Sequence, residues 1–133
     1  MRITKYRGKR EGNGEWVYGA FYPIKNEDVY FIINNCKSID FDDDDTTFNG
    51  YKVHKKSVGE FTGLHDKNGK EIYEGDILKT IGNNVKVTFG TSSKYPASFL
   101  MENRYVIMPF ENTMAEISEI IGNVFENTDL VKL

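Results

Sequence analysis

Glu71, Glu74 and Asp76 lie within six residues of one another, and paired carboxylates are what glycosidic hydrolysis uses, one as acid and one as base or nucleophile. That chemistry needs the two groups about 5 to 9.5 Å apart across a cleft. Spacing along a turn-rich segment builds no cleft, so the expectation is solvated turn carboxylates, with a small hydrolase as a remote alternative. Asp66, Asn68 and Lys70 fall at the alternate positions of a calcium loop, but the third is a cation and Gly69 comes two residues before the required bend. The run at 40–45 holds five aspartates in six residues, with neither the alternation nor the glycine of a cation cage, so it reads as a solvated loop. Cys36, His54 and His65 have none of the spacings of a zinc site, and neither histidine sits where it marks a base for a nucleophile. Gly63, Gly69 and Gly75 recur every six residues without the Lys-Ser/Thr of a phosphate loop. No catalytic, cofactor-binding or metal-binding residue is therefore assigned, and no cofactor is expected.

The other chemistry is electrostatic. Arg2, Lys5, Arg7, Lys9 and Arg10 occur in residues 2–10 with no acid among them, a footprint of contact with a polyanion. Lys5, Arg7 and Lys9 alternate as on one face of a strand, with Tyr6 turned the other way. Trp16 and the tyrosines after it offer stacking surfaces, so single-stranded nucleic-acid binding is one reading. The plainer one is a first strand with a solvated charged face, followed by aromatics in the core. Net charge is −3, which argues against a protein that coats duplex DNA with its whole surface.

Turns and alternation set the elements that would position these groups. Glu11 to Glu15 reads as a turn joining the first strand to one over 16–22, ended by Pro23, with Gly19 marking a bulge or close crossing. A turn over 26–28 leads to a buried strand over 29–33, broken by Asn34-Asn35, and 51–55 alternates as a half-exposed strand with His54 outward. In the central stretch, Asp66, Asn68 and Gly69 make a hairpin turn, because Asp bonds its own backbone two residues on and Asn-Gly accepts positive φ. Gly75 and Asp76 make a second corner before a strand over 77–81. Asn83-Asn84 then turns the chain into 85–89, with Val85, Val87 and Phe89 inward. Strands over 97–101 and 105–110 form another hairpin about 102–104. Thr113 and Glu116 satisfy a capping box for a short helical turn, and a closing strand over 118–126 contains Gly122.

Three blocks carry a resemblance to a known family. Phe61-Thr62-Gly63-Leu64 followed by the twelve residues from Asp66 to Ile77 resembles the centre of the YopX family of phage and prophage proteins. Trp16-Val17-Tyr18-Gly19 and the eight residues from Ile120 to Asn127 are similar to its outer blocks, in the same order. The opening departs from the family, since Arg7-Gly8-Lys9-Arg10 carries no Trp. The resemblance implies a β-rich, barrel-like domain encoded by phages or prophages, with no activity established as common to the family and no site residues carried over.

The composition agrees. A chain of 133 residues fits one domain, 1–133. Its 14% aromatic content, with eight Tyr and nine Phe, leans toward sheet. The expected fold is mainly β, a small barrel-like or strongly bent antiparallel sheet domain with at most one or two short helical turns. One cysteine excludes an internal disulfide, and no apolar run reaches the roughly 20 residues of a membrane span. The start lacks the apolar segment of a secretory signal, so the expected location is the cytoplasm of a bacterial host. The functional expectation is a non-enzymatic interaction module binding a host or phage protein, with homo-oligomerisation expected and single-stranded nucleic-acid binding as the alternative.

Overall fold

In a computed structural model the described residues are 4–34 and 50–132, and they are mainly antiparallel β. Arg2, Asn35, Cys36 and the aspartate run at 40–45 lie outside them. Contacts divide the chain into two compact units, Met1–Glu60 and Phe61–Leu133.

In the first unit, β1 (Tyr6–Lys9), β2 (Trp16–Ile24), β3 (Val29–Ile33) and β4 (Gly50–Lys52) form a meander in the order β4-β3-β2-β1. The free side of β1 pairs with the first residues of β5 (Gly59–His65), Tyr6 opposite Glu60. The expected first hairpin forms with Tyr6 opposite Gly19 and Lys9 opposite Trp16. Period-two alternation then sends Tyr6, Val17, Phe21, Tyr30, Ile32 and Tyr51 to one face, where they pack with Val53 and Val58 as this unit's core. Gly19 is a close crossing: a Cβ there would collide with the Ile33 carbonyl.

Three expectations for this unit need correction. The second strand runs through Pro23, which pairs with Tyr30. Beyond Gly19 the paired residues of β2 have β3 alone as neighbour, and on such an edge a missing N–H need break no ladder bond. The aromatic stripe of β2 is not core, because Trp16 is half-buried while Tyr18 and Tyr22 are 46% and 37% exposed. The strand at 51–55 stops at Lys52, and a single 3-10 turn occupies Lys55–Ser57. There the Ser57 hydroxyl accepts the Lys9 N–H at 2.8 Å and donates to the His54 carbonyl at 2.6 Å, which curls the chain out of line. His54 is exposed, as alternation predicted.

The second unit is built on β6 (Glu71–Tyr73), which pairs with the rest of β5, and on a five-stranded sheet. That sheet comprises β7 (Asp76–Lys79), β8 (Val85–Phe89), β9 (Phe99–Glu102), β10 (Ile107–Pro109) and β11 (Glu119–Asn123) in the order β10-β9-β8-β7-β11. Its core gathers Ile72, Leu78, Val85, Val87, Met101, Phe110 and Ala115. The predicted hairpins at 66–69 and 83–84 form, and so does the one expected about 102–104, with β9 running through Glu102 and the turn displaced to 103–106. Both sheets have open strand orders, so the expected barrel-like form does not close.

Phe89, expected inward, is exposed and meets Phe99 edge-on at a centroid separation of 4.9 Å. The strand expected over 77–81 stops at Lys79, leaving Ile81 exposed. Helix α1 (Asn112–Glu116) starts one residue before the proposed cap, with Glu111 at the N-cap, so Thr113 lies inside it and no capping box forms. The closing strand ends at Asn123, whose side chain accepts the N–H groups of Phe125 and Glu126 and turns the chain. Gly122 sits in that strand and not in a turn, at a register shift opposite Ile77. A Cβ there would lie 2.6 Å from Asn127 Oδ1.

Among the described residues no helix is long and apolar enough to cross a membrane.

Candidate functional site

The structure divides the N-terminal cations between two faces. Arg7 pairs with Tyr18 and Lys9 with Trp16, and paired residues project to the same side of a sheet. The Arg7 guanidinium lies 4.8 Å from the centroid of the Trp16 ring, a cation–π contact worth about 0.5–1 kcal/mol where exposed. Lys5 precedes β1 at the same parity. Arg10 departs from this group: it bridges to Val53 and stacks over Tyr51 at 4.4 Å. It also pairs with Glu15 at 3.7 Å, an exposed contact of little energetic weight. Of the sequence-predicted set, Arg7, Lys9 and Trp16 share a surface with Tyr18 and Tyr22, while Arg10 does not.

The central carboxylates serve the backbone. Asp66 is buried and bonds the backbone two residues on, as its turn reading expects. Its Oδ1 accepts the N–H groups of Asn68 and Lys70, both at 2.9 Å, and its Oδ2 accepts that of Ile120 at 3.1 Å. Burial alone raises its pKa, yet the N–H donors of Lys70, Ile120 and Asn68, helped by the Lys70 charge, outweigh it and hold the carboxyl below its ordinary value. Lys67 adds an N–H to the Ser118 carbonyl at 2.9 Å, so the Asn68-Gly69 hairpin is stitched to β11. Asp76, expected as a solvated turn carboxylate, is instead buried, because its Oδ2 accepts the Tyr73 N–H at 2.8 Å across the corner at Gly75. Gly75 has φ 93°, donates to the Val87 carbonyl and accepts from Val124. Carboxylates so engaged are anchors of the fold and poorly placed to exchange protons with a substrate. Among the described residues no group of three or more His, Cys, Asp or Glu could hold a metal ion.

One surface was not foreseen. Tyr105, Val106, Ile107 and Met108 are 62%, 45%, 42% and 40% exposed, in consecutive positions leading into and along β10, an edge of its sheet. Asn103 fixes this segment: its Oδ1 accepts the N–H groups of Tyr105 and Val106, and its Nδ2 donates to the Asn84 carbonyl. Phe110 donates to the Phe99 carbonyl, so by alternation Met108 faces β9 and the Ile107 amide faces outward. Pro109 shares that outward parity and lacks an N–H, which blunts the edge against a continuous ladder. Beside it a groove of about 350 Å³ runs between Lys86, Glu102, Arg104, Tyr105 and Ile107, with Lys86 and Glu102 paired at 3.3 Å. The signal available in sequence was the unbroken apolar run at 105–108, which strand alternation would have interrupted with polar residues.

Comparison with known proteins gives a family and a fold. The family model described as YopX protein matches residues 5–132. A solved structure, that of protein EF1440 from Enterococcus faecalis, is similar with a TM-score of 0.53 at 21% identity, over 99% of this chain and 100% of that one. At that identity the likeness is one of fold. No curated protein matches.

Proposed function

This chain belongs to the YopX family, and on that premise we propose that it is a non-enzymatic interaction module that docks a host or phage protein on the exposed edge at Tyr105 to Met108. The supporting observation is four consecutive large apolar residues at least 40% exposed, leading into and along an edge strand. Contiguous exposed apolar surface of this kind marks interaction sites. The Asn103 clamp holds the segment in place before binding, which lowers the ordering cost of association. The proposed setting is the cytoplasm of a bacterium carrying the phage or prophage, and homo-oligomerisation through the same edge belongs to this reading.

The test compares tagged wild type with Tyr105→Ser/Ile107→Ser in the infected or prophage-induced host, by quantitative mass spectrometry of what co-purifies. A protein retained by the wild type and lost with the variant supports the reading. Identical retained sets overturn it. Sedimentation equilibrium of the purified chains separates self-pairing from pairing with a second protein.

A further inference from the structure

The first unit's sheet has two unlike faces. One is its apolar core. On the other, the strand registers align Arg7 with Tyr18, Lys9 with Trp16, Tyr22 with Phe31 and Phe31 with Lys52. Among the described residues that these registers place on this face, none is acidic, although the whole chain carries a net charge of −3. Cations have therefore been gathered onto one surface of an acidic protein, in a row on β1 beside a row of aromatics on β2.

We propose that this face binds single-stranded nucleic acid. Tyr18 and Tyr22, 46% and 37% exposed, stack with bases, while Lys9, Arg7 and Lys5 face the phosphates. Stacking requires an unpaired base, which is why a single strand fits and a duplex does not. The two tyrosines stand four residues apart on one strand, on the order of 13 Å, room for a few nucleotides. Arg7 keeps its stack on Trp16 and so arrives at the phosphate already oriented, and Lys52, paired with Glu11 at 3.3 Å, lies at the margin. This site lies on the first unit and is independent of the edge at Tyr105 to Met108.

The probe is a fluorescein-labelled oligothymidylate of ~12 nucleotides, within the site sizes of small stacking domains, titrated by anisotropy across a salt series. Expected is binding at low salt whose log K falls with log salt by about 0.7 for each phosphate neutralised. Lys9→Gln should reduce that slope by about 0.7. Tyr18→Ser/Tyr22→Ser should weaken binding about tenfold or more with the slope retained, with circular dichroism confirming that these exposed changes leave the sheet intact. Ile107→Ser should leave the affinity within about twofold, as for a change in the second unit that shares no partner with these residues. No binding at the lowest salt, equal binding of a duplex, or unchanged binding by both the Lys9 and the tyrosine variants overturns the proposal. Retention of a protein through Tyr18 and Tyr22 without oligonucleotide binding overturns it in favour of a protein surface.

Discussion

Asp66 gathers three backbone N–H groups from two separate parts of the chain, which gives one side chain a long reach. In Asp66→Asn the Nδ2 group faces a donor, and an unsatisfied Ile120 N–H costs about 1–3 kcal/mol; urea denaturation at neutral pH measures the loss. The pH dependence follows from the depressed folded-state pKa. Stability from this group is complete above the ordinary value of 3.8 and declines as pH falls through the lower folded value. The variant should therefore show a shallower loss of stability below about pH 4 than the wild type. Gly122→Ala places a methyl 2.6 Å from Asn127 Oδ1 and 2.9 Å from a Leu130 methyl. The resulting overpacking should cost about 1–3 kcal/mol, read from the shift in urea midpoint at unchanged slope.

Elements show where local rules yield to long-range pairing. Thr113 satisfies the capping pattern, but the helix begins at Asn112. Thr113→Ala should therefore change stability by less than ~0.5 kcal/mol, the range of an ordinary surface change, where loss of a true cap costs about 1 kcal/mol. Tyr105→Ser and Ile107→Ser remove exposed side chains, so the melting temperature should barely move while docking is lost. Uncoupling of association from stability is what distinguishes an interaction edge from a core strand, and Leu100→Ala, in the fully buried middle of β9, supplies the contrast at about 2–5 kcal/mol. The central and C-terminal blocks that resemble the family have a physical connection: the central hairpin donates to Ser118 and accepts from Ile120, and Gly75 accepts from Val124.

Across the whole molecule, each unit carries its own apolar cluster, Val17, Ile32 and Val53 in one and Ile72, Leu78, Val87 and Met101 among the other. Separate cores open as separate cooperative units. Native-state hydrogen exchange in rising denaturant should group the protected amides into two sets, divided near residue 60. A single set with one common opening energy would show that the two cores melt together. Charge is distributed on the same scale, with an acidic total and a cation-rich face on the first unit, so net charge alone is a poor guide to what the protein binds.

Turns and pairing were legible because they are local. The reversal at Asp66-Asn68-Gly69 is closed by neighbouring backbone groups, the Asn68 and Lys70 N–H groups on the Asp66 carboxylate, those at Gly75 and Asn83-Asn84 were marked by turn-forming residue types, and alternation over 85–89 assigns strand faces from the chain itself. Phe89 and Ile81 mark the limit: inward parity buries a side chain only where a neighbouring layer covers it, and coverage depends on residues distant in sequence. For the same reason, the sequence by itself determined an antiparallel, turn-punctuated β protein of this family. Alternation also placed Arg7 and Lys9 on one face, as their pairing with Tyr18 and Trp16 bears out; only the tertiary structure decided which apolar residues stay on the surface, that Asp66 and Asp76 are buried anchors, and that Arg10 stacks on Tyr51. Those outcomes depend on which strands become edges and on register between distant segments, neither of which any short window of sequence contains.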